Sequence, residues 1–441
     1  MKKTNASGGP CTLRIAVVGG PQYDRLYERL ALFERETGHH VEIVFRGSHP
    51  ELNDYLTSTF QQYDPAFSAE SPIPEPDLDL VSTHIKYAPS QAYFLQDLGD
   101  DLVSAQEQSE FLESAMEASK VQGKLMQLPR MVDSRVLFYR ADIFERLGLA
   151  APRTWQDLLT VASKVRKAAL PTPTNASGPG TDVIQGYVFP GKQSGLFGTF
   201  YELAMMEMEH SEALFDQQSR PVFQESVVAN VLRYMRELVT SNAVPQDIEE
   251  YYFDEVSALF SEGKVAMVAD WPSFYEGMKA KLKSQEPDAR IKVMRYPVGA
   301  NGKRSAYSGM HSFAIPKSCR HREEAAELLK FLVRDDQQWI EASESGSFPT
   351  KKAALQRLLQ ETEAKNVAAS GGSGSAEQQL DSERLNCLVE TVQNDMAMFP
   401  HLRSYPELED ALYPMIQDAM MGRISPEEAA RRMQARAMQS V

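Results

Sequence analysis

The chain carries many reactive side chains but no arrangement that would set them to covalent or metal chemistry. No Gly-x-x-x-x-Gly-Lys-Ser/Thr loop occurs, and Gly19-Gly20-Pro21 lacks the GxGxxG spacing that admits a pyrophosphate. A Gly-x-Ser-x-Gly elbow and a His-Glu-x-x-His helix are both missing. His39 and His40 are adjacent, so on a strand they point to opposite faces and cannot share a metal; they are expected to be solvated turn residues. Cys11, Cys319 and Cys387 are far apart, odd in number and form no CxxC pair, which predicts free thiols rather than disulfides. Gly8-Gly9-Pro10 before Cys11 is not the apolar stretch that would make it a lipid-anchor site. Carboxylates are scattered, and nothing in their spacing pairs two as acid and base. Binding chemistry remains. Gly20-Pro21-Gln22-Tyr23 ends a strand and opens a helix, so backbone N–H groups with Gln22 or Tyr23 face a ligand crevice if the sheet is doubly wound. Ser82-Thr83-His84 ends another strand in the same way.

Those strand ends require an α/β frame, and the pattern supplies one. Leu13-Arg14-Ile15-Ala16-Val17-Val18 is a β-rich run closed by the Gly19-Gly20-Pro21 turn. Leu26, Leu30 and Phe33 then recur at helical spacing until Thr37-Gly38, and Val41 to Phe45 reads as a second strand. A loop from Ser71 to Pro76 precedes a third, Leu78 to Val81, which predicts a mostly parallel sheet covered by helices. The grammar restarts with a strand-like Val132 to Tyr139 and a helix opened by Thr154 with Asp157 as capping box, burying Leu158, Leu159, Ala162 and Val165. A loop is expected between Lys167 and Tyr187, helices through much of Gly198 to Leu259, and a buried strand at Lys264 to Ala269. His321 to Val333 reads as helix, and Ser425-Pro426-Glu427-Glu428 as a helix start with a cap, a first-turn Pro and a capping-box Glu. Ala368 to Ser375 has linker composition and is expected to be a mobile loop.

With 441 residues, 42% hydrophobic and 24% charged, the chain is too long for one ordinary core and too apolar to be disordered. Apolar runs such as Ile15–Val18 and Val265–Ala269 are a handful of residues long, so a soluble protein is expected. An excess of 61 acidic over 46 basic residues argues against nucleic acid as a partner. Met1-Lys2-Lys3-Thr4 has the charge of a signal n-region, but Asn5 to Pro10 follows where an apolar core is needed; the readings are a cytoplasmic chain or a leader removed or replaced.

Several ordered blocks resemble the extracellular solute-binding proteins of ABC transporters, in particular the carbohydrate-binding, maltose-binding-protein-like family. They are Leu13 to Val44 with Phe33-Glu34-Arg35-Glu36-Thr37-Gly38; Leu128 to Arg140 continuing to Phe144 and Pro152-Arg153-Thr154-Trp155; and Phe260-Ser261-Glu262-Gly263-Lys264-Val265-Ala266-Met267. Gly309 through Ala314-Ile315-Pro316-Lys317 to Leu332, then Gly346-Ser347-Phe348-Pro349-Thr350-Lys351, and finally Gly422 to Ala429 complete the set. The resemblance implies a periplasmic-binding-protein-like (type II) α/β fold of two lobes, residues 11–128 with 309–346 and residues 129–308 with 347–441, after a disordered tail at 1–10. Its chain crossings fall near Pro129, near Ser308-Gly309 and near Gly346 to Pro349, where glycine suits a hinge.

A carbohydrate cleft needs carboxylates and amides for hydroxyls and aromatic rings for sugar faces. By the resemblance Asp133 is the acidic position after the first crossing, with Arg135 two residues on and on the same side of a strand. Asp270-Trp271-Pro272-Ser273-Phe274-Tyr275 stands where the family places a stacking ring, and its departure from Gly-Pro-Trp leaves Trp271, Phe274 and Tyr275 as rivals. Gly309-Met310-His311 replaces the family's Gly-Gly-Trp, and Tyr201-Glu202 opens a cleft helix. The implied function is binding of an oligosaccharide or glycoside, unaltered and without cofactor, by a monomer that hands it to ABC permease subunits from a periplasmic or membrane-anchored position. The alternatives are a carbohydrate-active enzyme and a cytoplasmic solute sensor on the same fold, with peptide or polyamine as other ligands.

Overall fold

The computed structural model describes residues 9–61, 77–173, 183–207, 214–216, 218, 220–370, 376–397, 399–400 and 402–439, with the side chains of residues 21, 22, 100, 365–370 and 376–379 left aside. The expected tail at 1–8, the Ser71–Pro76 loop, much of the loop before Tyr187 and residues 371–375 of the linker-like segment lie outside these. Two compact units emerge, one of residues 1–132 and 309–358, the other of 133–308 and 359–441.

In the first unit the opening strand Thr12–Val18 runs into the turn at Gly20, whose φ of 129° belongs to the region that favours glycine. Helix Pro21–Glu28 starts on a proline, and helix Leu30–Thr37 buries Leu30 and Phe33 before Gly38 ends it in the left-handed conformation. Strand His40–Gly47 returns parallel to the first, and Leu80–His84 pairs parallel on its other side. The next neighbour, Ala306–Ala314, is antiparallel, with His311 opposite His84, and Phe348–Pro349 is antiparallel to Leu128–Ser134. The expectation of a mostly parallel sheet therefore holds only for its first three strands. Ala306–Ala314 comes into this unit from the other, and an antiparallel strand needs no crossover helix.

The second unit is built on a four-stranded sheet in the order Ile291–Met294, Val136–Arg140, Val265–Asp270, Gln185–Val188. Against it lies helix Trp155–Lys167, whose Thr154 and Asp157 form both halves of the capping box and whose inner face buries Leu158, Leu159, Ala162 and Val165. Gly186 lets strand and helix meet, since a Cβ there would come 2.2 Å from the Ala162 carbonyl oxygen. Helices Gln193–Glu207, Glu225–Thr240, Tyr405–Met420 and Pro426–Met438 pack on one another, the last capped by Ser425, whose hydroxyl accepts the Glu428 N–H.

Four local expectations change. The third crossing, placed at Gly346–Pro349, lies inside the first unit because Phe348 and Pro349 are paired with Val132 and Met131; the division falls after Leu358. Residues 368–370 of the expected loop continue helix Lys352–Ser370. The segment before Tyr187 becomes strand at Gln185. His40 is exposed at the head of its strand, but His39 is buried, stacked on Phe33 with Nδ1 accepting the Cys11 N–H at 3.2 Å, so it is no solvated turn residue.

Candidate functional site

Three parallel strands of the first unit each deliver a ring at their carboxyl ends, the edge at which open α/β sheets bind ligands. Tyr23 follows the first strand, His49 the second, and His84 ends the third; His311 joins them from the antiparallel neighbour. The His311 ring centroid lies 4.9 Å from His49, 5.0 Å from His84 and 5.4 Å from Tyr23, and His49 and His84 are 5.5 Å apart. The Tyr23 hydroxyl bonds His49 Nε2 at 3.1 Å, and the Lys86 N–H donates to His84 Nδ1 at 3.1 Å. All three imidazoles are partly exposed, and they meet edge-on or tilted rather than stacked. Burial, with the positive charges of Lys86 and Arg130, pushes His49 down to about 4. His84 and His311 are held well below the ordinary histidine range, chiefly by burial and by the neighbouring imidazoles. Arg130 lies 5.2 Å from the Tyr23 ring centroid; its Nε donates to both Glu341 oxygens at 3.0 Å, so its charge is matched.

Sequence reasoning named Tyr23, His84 and His311, and the structure brings them together. His49 was missed, although the strand-end argument applied to Thr12–Val18 and Leu80–His84 holds equally for His40–Gly47, two residues before it. Gly309 packs against His84: a Cβ would sit 2.6 Å from Nε2. Met310 is fully buried in the core, so its expected place on the ligand surface is corrected. The Gln22 side chain lies outside the described residues.

The second unit gathers charge around its first residues. Asp133 is 4% exposed; Oδ2 accepts the Ser273 hydroxyl at 3.0 Å, while Oδ1 is buried with no hydrogen-bond partner. Burial, reinforced by Asp270 and opposed by Ser273, pushes its carboxyl up to about 7. Arg135 does not share a strand face with Asp133 as expected, because it falls in the break between Leu128–Ser134 and Val136–Arg140. It is completely buried: Nη1 reaches Glu202 at 3.3 Å and Thr199 at 3.1 Å, and Nη2 the Ala269 carbonyl at 3.3 Å. Glu202 in turn accepts the Tyr307 N–H at 2.8 Å, and burial lifts it to about 7 against the pull of Arg135.

Asp270 is likewise buried and raised to about 7 by burial; it accepts the Ser257 hydroxyl on one oxygen and the Trp271 N–H, at 2.8 Å, on the other. That bond fixes the turn that presents Trp271. The indole is partly exposed, set 5.8 Å from Phe253 and 6.3 Å from Tyr307, with the Arg135 guanidinium 5.9 Å from its centroid. Of its rivals, Phe274 is also partly exposed, whereas Tyr275 is a core ring stacked on Phe138. Tyr201 packs into the interior against Phe215 and Tyr307. Arg135, Tyr201, Glu202 and Asp270 are thus buried behind the surface rather than lining it: Arg135 and Glu202 pair with each other, and Asp270 bonds Ser257 and the Trp271 N–H. Among the described residues no group of three His, Cys, Asp or Glu side chains is placed to hold a metal, and no helix is long and apolar enough to cross a membrane.

Two α/β units joined by more than one chain crossing are the architecture of a type II periplasmic-binding-protein fold. Residues 19–339 match the model of the bacterial extracellular solute-binding proteins, and the chain belongs to that family. A probable ABC transporter-binding protein of Deinococcus radiodurans is 25% identical over 334 residues, 75% of this chain and 74% of that protein. The arabinooligosaccharide-binding protein of Bacillus subtilis is 23% identical over 51% of this chain and 48% of its own length. Among solved structures, maltose-bound MalE3 of T. maritima superposes with a TM-score of 0.78 at 22% identity, covering 98% of this chain and all of that one.

Proposed function

We propose that this protein binds a carbohydrate, an oligosaccharide or glycoside, and delivers it unchanged to an ABC importer from an extracytoplasmic position. The observation that carries the reading is the Asp133–Trp271 face of the second unit: a buried carboxylate oxygen without a partner beside a turn that holds a half-open indole. Hydroxyls donate to such an oxygen and sugar faces stack on such a ring. The maltose and arabinooligosaccharide that give two relatives their names agree with it. A ligand that binds one conformation better than another favours it by its differential affinity, and the permease senses that population shift. Asp270 spends both oxygens on Ser257 and the Trp271 N–H, which does not favour it as an acid–base partner of Asp133 for glycoside hydrolysis.

A thermal-shift screen with maltose, mannotriose, arabinotriose, amino acids and polyamines tests the reading. A sugar at about 100 times its Kd should stabilise by roughly 2.7 kcal/mol. Trp271→Ala should weaken that sugar about tenfold, as loss of a stacked ring does. Stabilisation by a polyamine or amino acid alone, or release of shortened sugar products, would overturn it.

A further inference from the structure

We infer that Ser273 is a positioning residue of the ligand site: its hydroxyl ties Asp133 to the turn that carries Trp271, so that the hydrogen-bond acceptor and the stacking ring are offered as one preset pair. The inference rests on the carbohydrate reading and adds the residue that joins its two parts. Val136 stands opposite Asp270 in the antiparallel pairing of Val136–Arg140 with Val265–Asp270. Carried three residues on, that register brings Asp133 level with Ser273. The Ser273 hydroxyl donates to Asp133 Oδ2 at 3.0 Å, across 140 residues of chain.

The turn itself has little freedom. Pro272 fixes φ at its second residue, the Phe274 N–H donates to the Trp271 carbonyl at 3.1 Å, and Asp270 accepts the Trp271 N–H at 2.8 Å. Asp270 is itself held by the Ser257 hydroxyl. The turn is thus anchored to the sheet at its start, and Ser273, buried beside it, links it to Asp133. A side chain fixed before the ligand arrives has no rotamer freedom left to lose on binding, which is what preorganisation contributes to affinity. An O–H donated to a carboxylate also favours its ionised form, which accepts a sugar hydroxyl more strongly than the neutral acid does. Burial, with Asp270, works the other way, and the Asp133 carboxyl stands at about 7. The further charges around this pair are Arg135 and Asp254, which act on Asp270 in opposite senses, and Glu202, which holds Arg135.

Three measurements on the full chain test this. In carboxyl-carbon NMR without ligand, with Asp133→Asn to assign the signal, Ser273→Ala should move the Asp133 titration upward and Ser273→Thr should leave it in place. An unmoved titration in Ser273→Ala overturns the inference whatever the ligand. In calorimetry with maltose and mannotriose at pH 8, Ser273→Ala should lose about three- to tenfold in affinity while Ser273→Thr stays within about twofold, and the loss in Ser273→Ala should grow toward pH 6.5. In an Asp133→Ala background Ser273→Ala should cost about twofold at most, since its effect passes through Asp133. Equal binding by Ser273→Ala, or the same loss with Asp133 already removed, overturns the role of Ser273 and leaves sugar binding standing. Failure of every sugar to bind wild type overturns the carbohydrate reading and the ligand role of Ser273 with it, while the titration still reports whether Ser273 holds Asp133.

Discussion

Asp133 shows most directly how a side chain can be costly to the fold and useful to the site. A buried carboxylate with one oxygen bonded and one orphaned loses solvation that Ser273 only partly replaces, which is why its carboxyl rises to about 7. Asp133→Ala should therefore weaken sugar binding by about 10–100-fold, the worth of a hydrogen bond to a charged group, without lowering the melting temperature. Calorimetric titration alongside thermal unfolding checks both halves; a variant that melts early yet binds normally would make Asp133 a structural residue. The contrast with Arg135 explains what sequence could and could not deliver. Residue types and their place after a strand mark Asp133 and Trp271 as candidates. The partner that neutralises Arg135 is Glu202, 67 residues away, and that of Arg130 is Glu341, 211 away; no spacing rule reaches so far. Arg135 and Glu202 were therefore expected on the ligand surface, and each instead satisfies the other.

Elements were legible where their signals are local. Thr154 with Asp157, Gly38 after a helix and Ser425 before Pro426 each announce a boundary through hydrogen bonds made within a few residues. The antiparallel entry of Ala306–Ala314 and the division after Leu358 were not, because strand direction and unit membership depend on where distant chain returns. Gly186 belongs to the same illegible class: nothing in Gln185-Gly186-Tyr187 reveals that the helix from Trp155 to Lys167 presses on it. Thr154→Ala should cost about 1 kcal/mol through loss of the cap. Gly186→Ala forces a methyl group against backbone that cannot step aside and should cost more, about 1–3 kcal/mol, as overpacking does. Denaturant unfolding of the two variants ranks them; a Gly186→Ala variant as stable as wild type would mean that strand and helix can separate at no cost.

At the scale of the molecule the two units carry opposite proton linkage. In the first, His49 has its folded value lowered from 6.5 to about 4, with His84 and His311 lowered as well. The unfolded chain then binds protons that the folded unit refuses, so stability is complete above pH 6.5 and drains away as pH falls toward 4. In the second, Asp133 and Asp270 are raised from 3.8 to about 7, so the folded unit holds protons that the unfolded chain has released. Its stability is greatest near pH 4 and falls as pH rises through 7. Acidification from pH 8 to 5 should therefore destabilise residues 1–132 and 309–358 while strengthening residues 133–308 and 359–441. Hydrogen exchange resolved by peptide, at pH-corrected times, should show protection shifting from the first set to the second. Replacing His49 by Gln should flatten the loss in the first unit, and Asp270→Asn the gain in the second. Parallel loss of protection in both units across that range would mean that the buried histidines and aspartates do not govern their response to acid.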